Sequence, residues 1–459
     1  MKYIKQFLTP VLLFTLFAVL FSSCDKMLDI DSKDSVDSDY LYRSIKNFEY
    51  GVTGTYYQLY IEHNALIGSI MADETKLAPE NSGVNGYAVN LHRWTYGSDD
   101  DVLLLAWQTY YKNIYRINTL LDNAYKVPLQ NDNERERFQE LEAELKGLRA
   151  LIHFELHRLF GDGNYASADG RTIPYVIDAD IYKKPSRSNT TEFYVALWKD
   201  IDQAIQDLAD DSENNTRINK QAMYALGARA ALYQQNTTKA IEYSTKVINH
   251  YPLATPKQFQ GIWSDANETE VVFKLKRNNE DDIRPNTLWF NFNTGKSNFL
   301  SAAKLRNTYS DDDDIRLDNF FGEDNQEQIA KYSGNDNENR ISDYKVFRVS
   351  EMYLIRAEAY LKNGQTGQAI ADINELISKR SPESEPITQI DLPTILEERY
   401  KELAFEGHRY FDFKRLSKSI TRDKQDLSNP SDATTLEPTD EAYQLPIPQK
   451  EIQANPNLK

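Results

Sequence analysis

The sequence is poor in cysteine and in positive charge. Cys24 is the only cysteine among 459 residues, so no disulfide can form within the chain. Lysine and arginine number 53 against 70 aspartate and glutamate residues, which gives a formal net charge of −17. Nucleic-acid phosphates require a basic footprint, so this chain is a poor candidate for binding nucleic acid. Neither a glycine-rich phosphate loop nor a Ser-His-Asp order with a nucleophile elbow is present, so no motif supports catalysis.

A long hydrophobic run is also missing. Residues 7–21 are apolar with three interruptions, and a membrane-spanning helix needs about 20 apolar residues. Two lysines precede this run, and small residues follow it directly before Cys24. That order is typical of an export signal ending in a bacterial lipobox. We therefore predict a signal peptide over residues 1–23, lipidation of Cys24, and a polar tether over residues 24–39.

Helical periodicity is the strongest pattern in the chain. Residues 347–380 read as two helices joined by a glycine-containing turn, each with an apolar stripe. The same order of large and small apolar residues occurs 129 positions earlier, where Met223 and Tyr224 correspond to Met352 and Tyr353. Such recurrence is typical of stacked helix-turn-helix units close to tetratricopeptide repeats. Because these units bury little alone, we expect neighbouring helices to complete the stack.

The remaining chain supplies further helices and two loop-rich stretches. Helical stripes cover residues 48–60, 102–125, 134–160, 190–208 and 395–416. Between them, residues 77–97 form an aromatic-bearing loop, and in a loop-rich insertion at about 252–346 residues 270–275 are predicted to form a strand. Long loops in a compact fold are usually functional or disordered, and the aromatics here argue against disorder. We predict one mainly α domain over residues 40–459, with minor β structure.

Several sequence motifs, in order along the chain, resemble one family. They are WQTYYKNIYRIN at 107–118, LRALIHF with LFGD between 148 and 162, RVSEMYLIRAEAY at 348–360, ERYKELAFEGHR at 398–409, and PIP with NPNL between 446 and 458. Together with the lipobox, they resemble the SusD/RagB-like outer-membrane lipoproteins of Bacteroidetes nutrient-uptake systems. No single motif is decisive, but their number and order are.

The resemblance implies a SusD-like α-α superhelix with a loop-rich ligand-binding face. It also implies a lipid-anchored outer-membrane protein that faces the cell exterior and needs no cofactor or catalytic residue. Such a protein captures an oligosaccharide and delivers it to a SusC-like TonB-dependent transporter. Three alternatives stay open: peptide capture as in RagB-like members, a surface glycosidase, and a structural lid that is blind to ligand.

The family's ligand contacts come mostly from loops, so candidates are assigned here by region. Aromatic planes can pack on the apolar faces of sugar rings, while Asn and Asp side chains can bond the hydroxyl groups. The predicted ligand-binding residues are Asp73, Asn81, Trp94, Tyr96, Trp289, Phe292 and Asn293. The alternative is that these aromatics form small cores that hold their own loops.

Other polar patterns favour structural roles. His153 and His157 are four residues apart on a helix, but the order H-x-E-x-H lacks a third ligand, so we predict no metal site. Residues 398–409 carry glutamates at helical spacing, which favours a salt-bridged face over a glycosidase pair. The aspartates at 311–314 could hold Ca²⁺, although a solvated acidic loop is the preferred interpretation. Arg348, Glu351 and Glu358 are expected to be buried polar groups.

Overall fold

The computed structural model describes residues 38–83, 85–163, 165–209, 214–281, 283–309, 313–332, 334 and 341–459. The predicted signal peptide, Cys24 and the tether as far as residue 37 lie outside these residues. Within the described part of the chain, no helix is both long and apolar enough to cross a membrane.

The described chain is mainly helical, with short strands in four two-stranded sheets. In chain order, α1 to α16 are Ile45–Tyr57, Glu62–Ile70, Val89–His92, Asp101–Asn123, Asp132–Phe160, Thr190–Asp207, Lys220–Tyr233, Thr237–Ile248, Pro256–Trp263, Ala303–Arg306, Ile315–Phe320, Val349–Lys362, Thr366–Arg380, Leu392–Glu402, Arg409–Arg415 and Gln449–Ala454. Likewise, β1 to β8 are Thr75–Leu77, Val271–Leu275, Phe290–Asn291, Lys296–Ser297, Phe299–Ser301, Tyr344–Arg348, Ile420–Thr421 and Thr435–Leu436. The predicted mainly α fold is confirmed.

The long helices pack in series. Helix α4 packs on α5, α5 on α6, α6 on α7, α7 on α8, α8 on α12, and α12 on α13. Each buries its apolar stripe against its neighbours; α4, for example, buries Leu103, Trp107, Tyr110, Ile114 and Ile117. Helix α6 begins with a capping box, in which Asn189 and Glu192 bond each other's backbone N–H groups. The stack is therefore built from local amphipathic patterns with defined helix starts.

The two matched helix pairs are confirmed. Helices α7 and α12 start and end 129 positions apart, and α8 and α13 also start at that offset. The insertion leaves the stack after α8 and returns through an antiparallel pairing of β2 with β6, in which Leu275 faces Tyr344. This pairing closes the insertion at its base. As a result, α12 packs on α8 although about a hundred residues separate them.

The prediction of a single last helix over residues 395–416 is wrong. Helix α14 ends at Glu402, and α15 begins at Arg409. In between, Phe405 and Gly407 have φ values of 64° and 76°, which end helical geometry. A Cβ on Gly407 would collide with the carbonyl oxygen of Asn64 in α2. The break therefore lets the chain approach a helix that is remote in sequence.

Buried ion pairs hold this break in place. Glu402 accepts hydrogen bonds from Arg348 and Arg380, both at 2.9 Å, and Glu406 accepts one from Arg348 at 2.6 Å. Burial alone would raise the pKa of Glu402, but Arg380 and Arg348 outweigh it and lower that pKa well below its ordinary value. The predicted structural role of these glutamates is confirmed. Their partners, however, lie on other elements.

Glu351, Glu358 and Asp314 are all buried. Glu351 pairs with Arg229 at 2.7 Å and Glu358 with Arg415 at 2.6 Å, both buried, as predicted for packing polar groups. In contrast, Asp314 is not part of a solvated loop. It is buried, caps the N-terminus of α11 and pairs with Arg316 at 2.8 Å. The neighbouring residues 311 and 312 lie outside the described chain.

Candidate ligand-binding site

The two loop-rich stretches singled out from the sequence meet at one surface. Strand β1 pairs antiparallel with β5, so Leu77 lies opposite Phe299. Just beyond this pair, the Asn81 amide donates to the carbonyl oxygens of Asn298 at 2.9 Å and Tyr87 at 3.0 Å, and its oxygen accepts from the Tyr87 N–H at 2.7 Å. Asn81 therefore ties the loops together and sets the position of Tyr87.

A cleft of about 360 Å³ opens beside this junction. Its rings are Tyr87, Phe290 and Phe292, and its polar groups include Arg284, Asn291, Asn293 and Asn298. Tyr87 is 41% exposed. The rings of Phe290 and Phe292 lie 5.0 Å apart, edge to face. The cleft therefore offers aromatic surface with amide and guanidinium groups around it.

The hairpin β3–β4 presents this aromatic pair. Phe290 lies opposite Ser297 and Asn291 opposite Lys296, and Gly295 closes the turn with φ of 68°. The Asn291 side chain accepts from the N–H of Asn293 at 3.0 Å, which fixes the tip of the turn. Partly exposed rings are thus presented on a short hairpin whose turn is hydrogen-bonded.

A second cleft, of about 430 Å³, lies on the other side of Tyr87. It is lined by Asn90, Leu105 and three consecutive aspartates, Asp99, Asp100 and Asp101. Asp100 caps α4 by accepting from the N–H of Val102 at 2.9 Å. Burial raises the pKa of Asp100; the N–H groups of Leu103 and Val102 oppose this rise, and the neighbouring Asp101 and Asp99 add to it. Tyr87 lines both clefts, so the two form adjoining parts of one surface, which we call the Tyr87 surface.

Four of the seven predicted ligand residues are buried and belong to the supporting structure. Trp94 is 7% exposed; its N–H donates to the Met71 carbonyl at 2.9 Å, and the Arg422 guanidinium covers its ring at 3.9 Å. Trp289 is 2% exposed and packs against Phe299 and Phe405. These rings hold their own loops, which is the alternative that the sequence left open.

Asp73 and Asn81 are also buried. Asp73 lies between Arg409 and Lys304, each at 2.9 Å. Burial opposes ionisation of Asp73, but these two cations outweigh it and lower the pKa of Asp73 below its ordinary value. Asn81 is fully engaged by the loop contacts given above. Neither side chain is therefore available to a ligand in this structure.

Three predicted residues retain exposed surface. Phe292 and Asn293 line the first cleft. Tyr96 is partly exposed, and its hydroxyl donates to the Ala442 carbonyl at 2.6 Å. Tyr96 lines neither of the two clefts at the Tyr87 surface. Ligand contact stays a prediction for all three residues.

Sequence reasoning left Tyr87, Phe290 and Arg284 out of the site. A signal for Phe290 was present, because alternation along a strand places residues 290 and 292 on the face opposite residue 289. Exposure of Tyr87 depends on the fold of its loop, which no local pattern predicts. Nothing in the sequence marks Arg284.

The histidine pair on α5 takes a structural role. His153 contacts the Arg149 carbonyl oxygen through Nδ1 at 2.8 Å and accepts from the Val176 N–H through Nε2 at 2.9 Å. The Nδ1 atom of His157 contacts the Thr172 hydroxyl. Among the residues that the structure describes, no group of three or more His, Cys, Asp or Glu is placed to hold a metal ion.

Comparison with known proteins connects this architecture with one family. A family model described as "SusD family" matches residues 196–459, and a second, described as "Starch-binding associating with outer membrane", matches residues 26–232. The SusD-like protein P2 of Formosa agariphila is 27% identical over 196 residues, which are 41% of this chain and 36% of that protein. The chain thus matches only about a third of that relative's length.

Solved structures share the fold over almost the whole chain. A SusD superfamily protein from Bacteroides thetaiotaomicron superposes with a TM-score of 0.82 at 24% identity, covering 91% of this chain and 99% of its own. A SusD-like carbohydrate binding protein from Bacteroides vulgatus gives 0.77 at 18% identity, covering 91% and 98%. At these identities the superpositions show the fold alone. Because the first family model covers more than half of the sequence, the chain belongs to the SusD family.

Proposed function

We propose that this protein is a non-catalytic lipoprotein that captures an oligosaccharide at the Tyr87 surface. The observation that carries the proposal is the cleft in which Tyr87, Phe290 and Phe292 expose ring surface among amide side chains. Aromatic rings offer large apolar contact area, and asparagine can both donate to and accept from hydroxyl groups. Ligand sites commonly combine such apolar walls with a few placed polar groups.

Delivery and location form the second part of the proposal. Membership of the SusD family, and a matching model whose description includes association with the outer membrane, support an outer-membrane location. We infer that acylated Cys24 anchors the chain on the exterior face. The captured ligand then passes to a SusC-like TonB-dependent transporter, and the chain acts without a cofactor.

A non-catalytic role agrees with the first cleft. Among its described lining residues none is a carboxylate, whereas glycoside hydrolysis uses a pair of them. The second cleft contains three aspartates, of which Asp100 is held in the cap of α4, so the turnover measurement below also tests Asp99 and Asp101. Capture of a peptide remains the alternative, since amide-rich hairpins can also bond a peptide backbone.

The test is calorimetric titration of neutral oligosaccharides and of peptides into the purified mature protein. We expect oligosaccharide binding without turnover, and weaker binding after Phe292→Ala or Tyr87→Ala. Ser297→Ala, on the neighbouring strand of the same hairpin, is the matched control. Release of shortened sugars by the purified protein would contradict the non-catalytic assignment. Binding of peptides but not of sugars would replace the oligosaccharide by the alternative ligand.

A further inference from the structure

Exposed apolar side chains are concentrated at the C-terminal half of α4. Tyr125 is 81%, Ile181 68% and Tyr182 87% exposed. Ile177 and Tyr115 are also exposed, and together with Ile181 they line one cleft of about 410 Å³. The segment 177–184 is held against α4 by the Ala179 N–H, which donates to Asp122 at 2.9 Å. We call Tyr115, Tyr125, Ile177, Ile181 and Tyr182 the exit patch, because the N-terminal segment leaves the body beside it.

Lysines and aspartates both border the exit patch. Lys126, Lys183 and Lys184 are exposed, and so are Asp122 and Asp180. Lys183 pairs with Asp178 at 2.6 Å, whereas no carboxylate lies in ion-pair contact with Lys126 or Lys184 among the described residues. Tyrosine rings with lysine stems are the side chains that suit the boundary between lipid headgroups and acyl chains.

The described chain begins at this same corner. Tyr42, in the first turn of the described residues, donates its hydroxyl to the Thr119 carbonyl of α4 at 3.1 Å. The Lys126 ammonium lies over the rings of both Tyr42 and Tyr125, at 5.6 and 6.0 Å. The point where the N-terminal segment joins the body therefore borders the exit patch.

The length of that segment limits how far the patch can be from the membrane. If Cys24 is acylated, as in the proposed function, residues 24–37 connect the lipid to Ser38. Fourteen residues span at most about 50 Å when fully extended and about 20 Å as a coil. Such tethering gives the patch a high effective concentration at the bilayer. Even a weak affinity for the bilayer surface is then enough to keep the patch in contact with it.

We infer that the exit patch contacts the lipid headgroup surface and orients the anchored protein. Helix α4 then acts as a spacer, because Val102 and Leu105 at its other end line the second cleft of the Tyr87 surface. A helix of 23 residues is about 34 Å long, so ligand and lipid are held about 30 Å apart along α4.

The single native cysteine makes a direct test possible. A Tyr182→Cys substitution in the full lipidated chain provides one thiol for a fluorescent probe, since Cys24 is blocked by the lipid. The matched control is Gln368→Cys on α13, which is also exposed. In vesicles of phosphatidylethanolamine and phosphatidylglycerol that carry a shallow nitroxide lipid, we expect about twofold or stronger quenching at residue 182 and none at residue 368.

A second variant separates lipid contact from general proximity. Adding Ile177→Asp and Ile181→Asp to the Tyr182→Cys protein should release the quenching but leave oligosaccharide affinity unchanged. Equal quenching at residues 182 and 368 overturns the inference. A change in probe fluorescence at residue 182 that depends on protein concentration, or that requires an outer-membrane barrel, also overturns it. If the lipidated chain fails to float with vesicles, both the anchor and this inference are refuted. If the unmodified protein binds no sugar but still floats and shows the expected quenching, only the capture function is refuted.

Discussion

Replacing Trp289 and Phe292 by alanine, one at a time, should separate the scaffold from the ligand surface. The two residues are three positions apart in one hairpin region, but Trp289 is 2% exposed while Phe292 lines the cleft. Truncating a buried tryptophan costs about 3–5 kcal/mol, because contacts are lost and a cavity remains. Truncating the partly exposed Phe292 ring, which packs edge to face on Phe290, should cost about 1 kcal/mol or less.

These costs can be read as shifts in melting temperature. A body of about 420 residues has an unfolding entropy of about 0.9 kcal/mol/K at the midpoint. Trp289→Ala should therefore lower Tm by about 3–6 °C, and Phe292→Ala by about 1 °C. Differential scanning calorimetry of the two variants beside the unmodified protein measures both shifts.

Ligand affinity should fall more in Phe292→Ala than in Trp289→Ala, the opposite of the order in Tm. If the Phe292 ring gives about 50 Å² of apolar contact to a sugar, its loss costs about 1.3 kcal/mol, or about tenfold in affinity. Titration calorimetry with an oligosaccharide that the unmodified protein binds provides the measurement. The reasoning is refuted if Trp289→Ala leaves Tm unchanged, or if Phe292→Ala lowers Tm as much as Trp289→Ala while affinity stays the same.

Three further predictions concern the break after α14, a buried ion pair and the Tyr87 loop. Gly407→Ala should lower the unfolding free energy in a denaturant titration by about 2–4 kcal/mol, because the added Cβ meets backbone atoms at a positive φ. The control Gly364→Ala has a similar φ but open space around it, so it should cost about 1 kcal/mol in the same titration. Burial would raise the pKa of Glu358, but Arg415 outweighs it and lowers the pKa to about 2. Because the folded pKa is below the ordinary 4.5, the ion pair should contribute about 3 kcal/mol at neutral pH, and this is lost as pH falls from about 4.5 to 2. The destabilisation by Glu358→Gln in urea should therefore be smaller at about pH 3 than at pH 7, and a constant difference would contradict the assigned ionisation. Asn81→Ala should weaken oligosaccharide binding by releasing the Tyr87 loop, at a stability cost of about 1–3 kcal/mol; unchanged affinity would show that Tyr87 does not need this contact.

Helix positions were accessible from the sequence because the signal is local. An apolar stripe repeats every three or four residues, and the 129-residue offset between α7 and α12 needs no knowledge of their neighbours. The same logic failed at residues 403–408. Periodicity continues through that stretch, but the close approach of Gly407 to α2 breaks the helix. That contact joins residues more than 300 positions apart.

The ligand surface could be predicted by region but not by residue. Aromatic content located both loops, and the pairing of β1 with β5 brings them together. Which rings face outward was decided elsewhere. Arg422, far along the chain, covers Trp94, while Arg409 and Lys304 enclose Asp73. Strand alternation at residues 289–292 was the one local signal that could have indicated Phe290.

The sequence by itself determined the helical repeat, the family resemblance and the two aromatic loops, because periodicity and motif order are properties of neighbouring residues. Only the tertiary structure decided which of those aromatics are core and which are surface. Burial depends on side chains that arrive from remote elements, such as Arg422 over Trp94 and Phe405 beside Trp289. The same physical reason explains the exit patch, whose residues become neighbours only when residues 177–184 fold against α4.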